Sequence, residues 1–249
     1  MGEALRLYGL NAVVTNAADG IGEAIARTLA KHGASVVAVD VNVSGVEQHY
    51  QSVKGIDGLF ADLRTPGRQA EMIENAVERL GGIDILVCDY PVPMLDPIDG
   101  TGPALESLLA ARAELTLAAC RAALPHLRRS PAGRIIVLGL QRSLFAPEAG
   151  DASRRAEKNL SDVVRALAAD TGEFGITANY VQPGGVMTPV SRVLFGKNEG
   201  LRDHCISNSA ARRLGEPVDV AKVVLFLASD DAVFVSGTGI AVDGGWLGD

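Results

Sequence analysis

Short apolar runs alternate with longer amphipathic stretches along this chain of 249 residues. The runs show no regular polar alternation, which is typical of strands covered on both faces. They are NAVVT (11–15), SVVAVD (35–40), GLFADL (58–63), IDILVC (83–88), RIIVL (134–138), ITANYV (176–181) and GIAVDGG (239–245). Helical patterns separate most of them, so the connections are long enough for parallel crossovers. The sequence predicts a single α/β domain over residues 1–249, with a doubly wound, seven-stranded parallel sheet and helices on both faces.

Charge and composition argue against several classes of function. The net charge is −7, whereas nucleic acids and anionic membranes attract clustered Lys and Arg. No apolar run approaches the ~18 residues of a membrane span, and the first residues lack a signal-peptide pattern. The three cysteines and four histidines are scattered, so neither a disulfide framework nor a metal site is expected. We expect a cytoplasmic protein with neither nucleic acid nor membrane as its partner.

The turn after the first apolar run carries the clearest ligand signal. Gly20 and Gly22 precede a helical pattern, and Asp40 ends the next run, as in the dinucleotide-binding unit of Rossmann-like folds. Glycines let the backbone approach a pyrophosphate, and a helix N-terminus favours its charge. Asp40 can accept hydrogen bonds from both adenosine ribose hydroxyls, and together with Asp19 it would repel a 2′-phosphate. The pattern predicts NAD and disfavours NADP, while a glycine turn that only packs a helix on a sheet is the alternative.

Motifs over nearly the whole chain resemble the short-chain dehydrogenase/reductase family. They are the Thr15–Gly22 turn, Asp62, GGIDILV (81–87), RAALPH (121–126), NYVQPG (179–184), Thr188-Pro189, RLGEP (213–217), FLAS (226–229) and DGG (243–245). The turn is similar to the family's Thr-Gly-x-x-x-Gly-x-Gly, with Asn16 replacing the first glycine, and Asn tolerates positive φ better than most residues.

The resemblance implies a set of cofactor contacts and an assembly. The implied cofactor-binding residues are Thr15, Asn16, Asp19, Gly20, Ile21, Gly22, Asp40, Asp62, Leu63, Pro183, Gly184, Val186 and Thr188. The resemblance also implies a small-molecule substrate and a homotetramer or homodimer, packed through long helices near residues 104–129 and 153–174.

The departures from the family pattern fall at the catalytic positions. The family's Asn-Asn-Ala-Gly is here Cys88-Asp89-Tyr90-Pro91, and its catalytic Asn, Ser, Tyr and Lys fall at Arg112, Leu140, Ser153 and Glu157. The family's reaction needs a phenol whose pKa is lowered by a nearby ammonium. A serine hydroxyl is far too basic as an anion to replace that phenol, and Glu157 has the wrong charge. Asp151 and Ser153 would also serve simply as N-cap residues that start the helix.

The sequence leaves three functions open. The first is an NAD(H)-binding protein of this family with a degenerate oxidoreductase site and weak or no ordinary dehydrogenase activity, a pseudoenzyme candidate. The second is an active NAD(H)-dependent oxidoreductase for an alcohol or ketone with relocated groups. In it, Tyr90 after the fourth strand lies beside the expected nicotinamide site, surrounded by Ser153, Glu157, Arg112 and Tyr180; surface cover or loop packing is the alternative for Tyr90. The third is a lyase similar to halohydrin dehalogenases, which Gly20, Gly22 and the Pro-Gly pair at 183–184 disfavour.

Overall fold

Seven parallel strands form one sheet, as the sequence predicts. A computed structural model describes residues 6–65, 67–90, 98, 103–147 and 149–247. The strands are β1 (Asn11–Thr15), β2 (Ser35–Asp40), β3 (Ile56–Phe60), β4 (Ile85–Cys88), β5 (Arg134–Leu138), β6 (Thr177–Pro183) and β7 (Gly239–Val242). Their order is β3-β2-β1-β4-β5-β6-β7. The connections change direction between β1 and β4, and ligands of open α/β sheets bind at the carboxyl ends of strands at such a point.

Helices cover both faces of the sheet. They are α1 (Gly20–Lys31), α2 (Val43–Tyr50), α3 (Gln69–Leu80), α4 (Pro103–Leu127), α5 (Gly150–Thr171), α6 (Pro189–Lys197), α7 (Glu199–Asn208) and α8 (Pro217–Ala228). On one face, Ile25 and Leu29 of α1 join Val220 and Val224 of α8 in a buried cluster. On the other face, α3, α4 and α5 bury a second cluster. Helices thus cover both faces of the sheet, and we expect a ligand at the carboxyl ends of the strands.

A third apolar cluster lies beside the carboxyl ends of the strands. It joins Leu140 and Leu144 after β5 to Ala152 of α5, Leu194 of α6 and Leu201 of α7. All five side chains are buried. We call this group the lid cluster, because it fastens α6 and α7 to the rest of the domain.

Several predicted bounds differ from the structure, and β7 ends at Val242 rather than at 245. Strand β3 covers Ile56–Phe60 rather than 58–63, because its register with β2 pairs Val36 with Ile56 and Asp40 with Phe60. Strand β4 begins two residues later than predicted, and β6 extends to Pro183. The N-cap reading of Asp151 and Ser153 is wrong: α5 begins at Gly150 with Ala149 at its N-cap.

A glycine in β3 tests the packing of α2 on the sheet. A Cβ on Gly58 would lie 2.4 Å from the carbonyl oxygen of Val46 in α2. Gly58→Ala should therefore lower the free energy of unfolding by about 2 kcal/mol, in the range of overpacked cores. A Cβ on Gly82 would meet nothing within 4 Å, so Gly82→Ala should change that free energy by less than about 0.5 kcal/mol. Urea unfolding followed by circular dichroism measures both, and equal stabilities would contradict the packing.

Candidate cofactor and catalytic site

The glycine turn begins where β1 ends and leads directly into α1. Asn16 has φ 55° and Gly20 has φ 57°, so both occupy the left-handed region. A Cβ on Gly22 would lie 2.0 Å from the carbonyl oxygen of Asn16, and only glycine fits there. The Asp19 side chain occupies the N-cap position but accepts no capping hydrogen bond. The first N–H groups of α1, which lack partners within the helix, are therefore available to solvent or an anion.

Asp40 supports this turn from the end of β2. Its Oδ2 accepts a hydrogen bond from the N–H of Ala18, and its Oδ1 accepts one from the N–H of Asn42, both at 2.9 Å. A carboxylate offers about four acceptor positions, so two remain for ribose hydroxyls. Burial raises the pKa of Asp19, and the Asp40 and Glu23 carboxylates raise it further. Two carboxylates therefore place negative charge at this end of the turn.

Tyr50 of α2 braces the same turn, which the sequence analysis missed. Its hydroxyl donates to the carbonyl oxygen of Ala17 at 2.6 Å, and burial raises the pKa of the phenol. An aromatic residue at the end of an amphipathic helix gives no local signal that distinguishes such a brace from ordinary core packing.

Asp62 and Leu63 have structural contacts of their own. The Asp62 carboxylate accepts from the N–H of Arg64 at 3.0 Å and from the hydroxyl of Thr65 at 2.6 Å. The hydrogen bonds from Thr65 and Arg64 lower the pKa of Asp62. The Leu63 side chain is buried in the cluster under α3. The adenine contact implied for Asp62 stays a prediction.

The segment after β6 closes the site from the opposite side. Thr188 caps α6 in a capping box with Ser191, and its Cβ lies 3.6 Å from the position of a Cβ on Gly20. A Cβ on Gly184 would lie 2.5 Å from the Cα of Asp243, and the Val186 side chain is buried. One segment that runs from the end of β6 to the glycine turn therefore carries Pro183, Gly184, Val186 and Thr188. The side chain of Val186 is buried, so only its backbone is available for a contact in the site.

Asp89 joins three elements at the centre of the site. Its backbone N–H donates to the Thr15 hydroxyl at 2.8 Å, and that hydroxyl donates to the backbone oxygen of Asp89. Its Oδ2 accepts from the Asn16 side-chain amide at 2.9 Å. Its Oδ1 accepts from the N–H of Tyr90 at 2.9 Å and from Arg112 at 3.2 Å. The sequence analysis located the altered segment but did not foresee this connection between the glycine turn and α4.

Tyr90 points into the core rather than into the site. Its hydroxyl donates to the carbonyl oxygen of Leu115 in α4 at 2.8 Å, and the residue is 3% exposed. Burial and the neighbouring Cys88 and Cys120 thiols raise the pKa of this phenol well above its ordinary value. This geometry argues against Tyr90 as a relocated catalytic group and fits the packing alternative. Pro91 lies outside the described residues.

Arg142 lies beside Ser153 and Glu157, the two positions that the sequence analysis matches to the family's Tyr and Lys. Its guanidinium lies 3.4 Å from the hydroxyl of Ser153 and 3.5 Å from the carboxylate of Glu157. It also lies 3.9 Å from the Asp243 carboxylate and 5.2 Å from the centre of the Trp246 ring. A positive charge therefore stands beside position 153, but it comes from the short 3₁₀ helix Arg142–Leu144 rather than from position 157. The sequence analysis missed Arg142, because its neighbours come from distant parts of the chain.

Leu140 and Arg112, the positions that the sequence analysis matches to the family's catalytic Ser and Asn, have clear structural contacts. Leu140 is buried in the lid cluster, and its backbone oxygen accepts from the Gln182 side-chain amide at 2.6 Å. Arg112 of α4 donates to the carbonyl oxygens of Tyr90 and Leu138 as well as to Asp89. Leu140 thus supplies no hydroxyl, and the donors of Arg112 are directed at the protein itself.

A cleft lies between these groups. It is lined by Asn16, Ile21, Asp89, Tyr90, Arg112, Leu138, Gly139, Leu140, Gln141, Leu144, Pro183 and Val190. These residues bring the glycine turn, the ends of β4 and β5, and the segment after β6 to one place. Among the described residues the lining presents no phenol whose hydroxyl faces the cleft, because the Tyr90 hydroxyl is bound to Leu115 in the core.

Within the described residues, no group of three or more His, Cys, Asp or Glu side chains is placed to hold a metal ion. No helix formed by these residues is both long and apolar enough to cross a bilayer.

Comparisons with known proteins identify the family. A family model described as Enoyl-(Acyl carrier protein) reductase matches residues 16–247. D-beta-hydroxybutyrate dehydrogenase of Rhizobium meliloti is 30% identical over 94% of this chain and 97% of its own length. Versicolorin reductase of Emericella nidulans is 34% identical over 96% of both chains. Human Dehydrogenase/reductase SDR family member 4 is 30% identical over 94% of this chain and 86% of its own length.

This chain therefore belongs to the short-chain dehydrogenase/reductase family, as the resemblance implied. Members of this family generally bind a nicotinamide dinucleotide and are commonly oligomeric.

The Tyr50 brace generates a stability prediction. Tyr50→Phe removes the buried hydrogen bond to Ala17 and leaves that carbonyl oxygen without its partner, so the free energy of unfolding should fall by about 1 kcal/mol. Tyr8, which is 80% exposed, is the matched control, and Tyr8→Phe should have almost no effect. Chemical denaturation of the three proteins gives the comparison; equal losses for the two variants would show that the Tyr50 hydroxyl does not brace the turn.

Proposed function

We propose that this protein binds NAD(H) at the glycine turn and has weak or no ordinary dehydrogenase activity. The observation that carries the proposal is the arrangement at the two key catalytic positions. There, Ser153 and Glu157 both face the Arg142 guanidinium, and neither a phenol nor an ammonium stands in their place.

The preference for NAD(H) is supported by the acidic end of the turn. Asp40 is 5% exposed and retains acceptor capacity for ribose hydroxyls after its two backbone contacts. A 2′-phosphate would place a further negative charge beside Asp40 and Asp19, and burial and the neighbouring carboxylates already raise the pKa of Asp19. The first turn of α1 and the backbone of 183–188 would hold the remainder of the dinucleotide.

The weak activity is supported by the chemistry of the available groups. When bound, the dinucleotide supplies or accepts a hydride, and the protein must exchange a proton with the substrate oxygen. A serine hydroxyl does not become an anion near neutral pH, and a guanidinium is a hydrogen-bond donor without acceptor capacity. General acid–base catalysis contributes typically 10²–10⁴-fold, so its loss should make ordinary ketone reduction very slow.

An active oxidoreductase with relocated groups is a second candidate, and Arg142 is the observation that favours it. Its guanidinium lies 3.4 Å or more from Ser153, Glu157 and Asp243, and within the described part of the chain its buried Nε has no hydrogen-bond partner. Such a cation could stabilise charge that develops on a substrate oxygen without moving a proton. Nothing among the described residues of the site favours the lyase alternative in the same way.

The assembly that we propose is a cytoplasmic homo-oligomer, a tetramer or a dimer. The three cysteines are free and buried, which suits a reducing compartment. The long helices α4 and α5 carry half-buried apolar residues such as Leu117 and Leu160. Shortly before β7, Phe234 is 100% and Val233 is 63% exposed. Both surfaces are candidates for contact between copies.

The cofactor assignment is tested by titration of the protein with NADH and NADPH. We expect NADH to bind at least about tenfold more tightly, and Asp40→Ala to weaken NADH binding by about tenfold or more, since hydrogen bonds to a charged group are lost. The same change should affect NADPH binding far less. Asp57→Ala, an exposed acidic position in β3, is the control. Equal affinity of the unaltered protein for both dinucleotides would contradict the assignment.

The activity assignment is tested by NADH oxidation with a broad panel of carbonyl compounds. Turnover by the unaltered protein should stay well below about 1 s⁻¹, the lower end of typical enzymes. The pair Ser153→Tyr with Glu157→Lys should restore little, because Leu140 and Arg112 remain and Arg142 occupies the space beside position 153. Activity should first rise when Leu140→Ser and Arg142→Ala are added.

The matched control for this series moves the phenol by one position along α5. Arg154→Tyr replaces Ser153→Tyr in the same multiple variant, which turns the ring by about 100° around the helix. It should give no rescue. Turnover near 1 s⁻¹ or above in the unaltered protein would support the second candidate instead.

A further inference from the structure

Asn16 introduces a side chain into the turn that is expected to carry phosphate groups. Its backbone lies against Gly22 in the first turn of α1, where a Cβ would come within 2.0 Å of the Asn16 carbonyl oxygen. An asparagine side chain carries two donors and one acceptor. Left unattached, this amide is able to rotate toward the N–H groups at the start of α1 and compete there with an anionic ligand.

In the structure, the Asn16 amide binds the Asp89 side chain instead. The Asn16 Nδ2 donates to Asp89 Oδ2 at 2.9 Å, which directs the side chain toward the end of β4. The acceptor is itself firmly held, because Asp89 Oδ1 accepts from Tyr90 and Arg112 and its backbone is paired with the Thr15 hydroxyl.

The charge of Asp89 is compensated at the same time. The Arg112 guanidinium lies 3.2 Å from the Asp89 carboxylate, and both side chains are largely buried. A bare carboxylate close to the turn would repel a diphosphate, whereas this ion pair presents little net charge. Asp89 can therefore hold the Asn16 amide without opposing an anionic ligand.

We propose that Asp89 is a positioning residue for the dinucleotide, which keeps the Asn16 side chain away from the phosphate groups. The role belongs to this particular pair of residues: with glycine at position 16, Asp89 has no amide to hold. This inference rests on the proposed binding of NAD(H).

A double-mutant cycle tests the proposal. NADH affinity is measured by fluorescence titration for the unaltered protein, Asp89→Ala, Asn16→Gly and the double variant. Asp89→Ala should weaken NADH binding about tenfold when position 16 is Asn, and less than about twofold when it is Gly, in the range of couplings between contacting residues. Release of Arg112 and loss of the Asp89 charge occur in both backgrounds, so these effects cancel in the comparison.

Further measurements separate positioning from a general loss of structure. Thermal unfolding without cofactor verifies that each variant folds. If the Asp89→Ala variant does not fold, Asp89→Ser takes its place in the cycle. Asp89→Asn should bind NADH within about threefold of the unaltered protein, because the Asn16 amide can flip and accept from the new amide donor.

The outcomes distinguish this inference from the proposed function. If the unaltered protein binds NADH and Asp89→Ala has the same effect in both backgrounds, the positioning role is overturned while cofactor binding stands. If the unaltered protein binds neither NADH nor NAD, the proposed function fails and the positioning role fails with it.

Discussion

The hydrogen bonds between Thr15 and Asp89 are the connection on which the site depends. They join the carboxyl ends of β1 and β4, the two adjacent strands from which the connections run in opposite directions. This is where an open α/β sheet leaves a crevice. The same link fixes the Asp89 side chain between the glycine turn and α4, so the geometry of the turn and the orientation of Arg112 are set together.

Much of the fold follows from local patterns, because strands buried on both faces must be apolar throughout. The seven-stranded parallel sheet was confirmed for that reason, and the glycine turn was located because its residues are close in sequence. The bounds of β3 were wrong because the register with β2 selects Ile56–Phe60. Local composition does not contain that pairing.

Tyr90 and Arg142 show two different reasons why the candidate site was only partly predictable. Side chains alternate along a strand, so Leu86, Cys88 and Tyr90 fall on the side that faces α4, and all three belong to one buried cluster. That orientation was available from the sequence, had the alternation been followed past the end of β4. The position of Arg142 was not available, because its contacts come from α5 and from the chain after β7. The Arg142 guanidinium, 3.5 Å from the Glu157 carboxylate, offsets the negative charge at that position.

The lid cluster has a consequence for the mobility of α6 and α7. Leu140, the position that the sequence analysis matches to the family's catalytic serine, lies in one buried apolar cluster with Leu194 of α6 and Leu201 of α7. Movement of α6 and α7 away from the sheet would expose these side chains to water, at a cost of about 25 cal/mol for each Å² of apolar surface. A polar side chain at position 140 would lower that cost, so the residue at the end of β5 affects both the chemistry of the cleft and the attachment of the two helices that pack beside it.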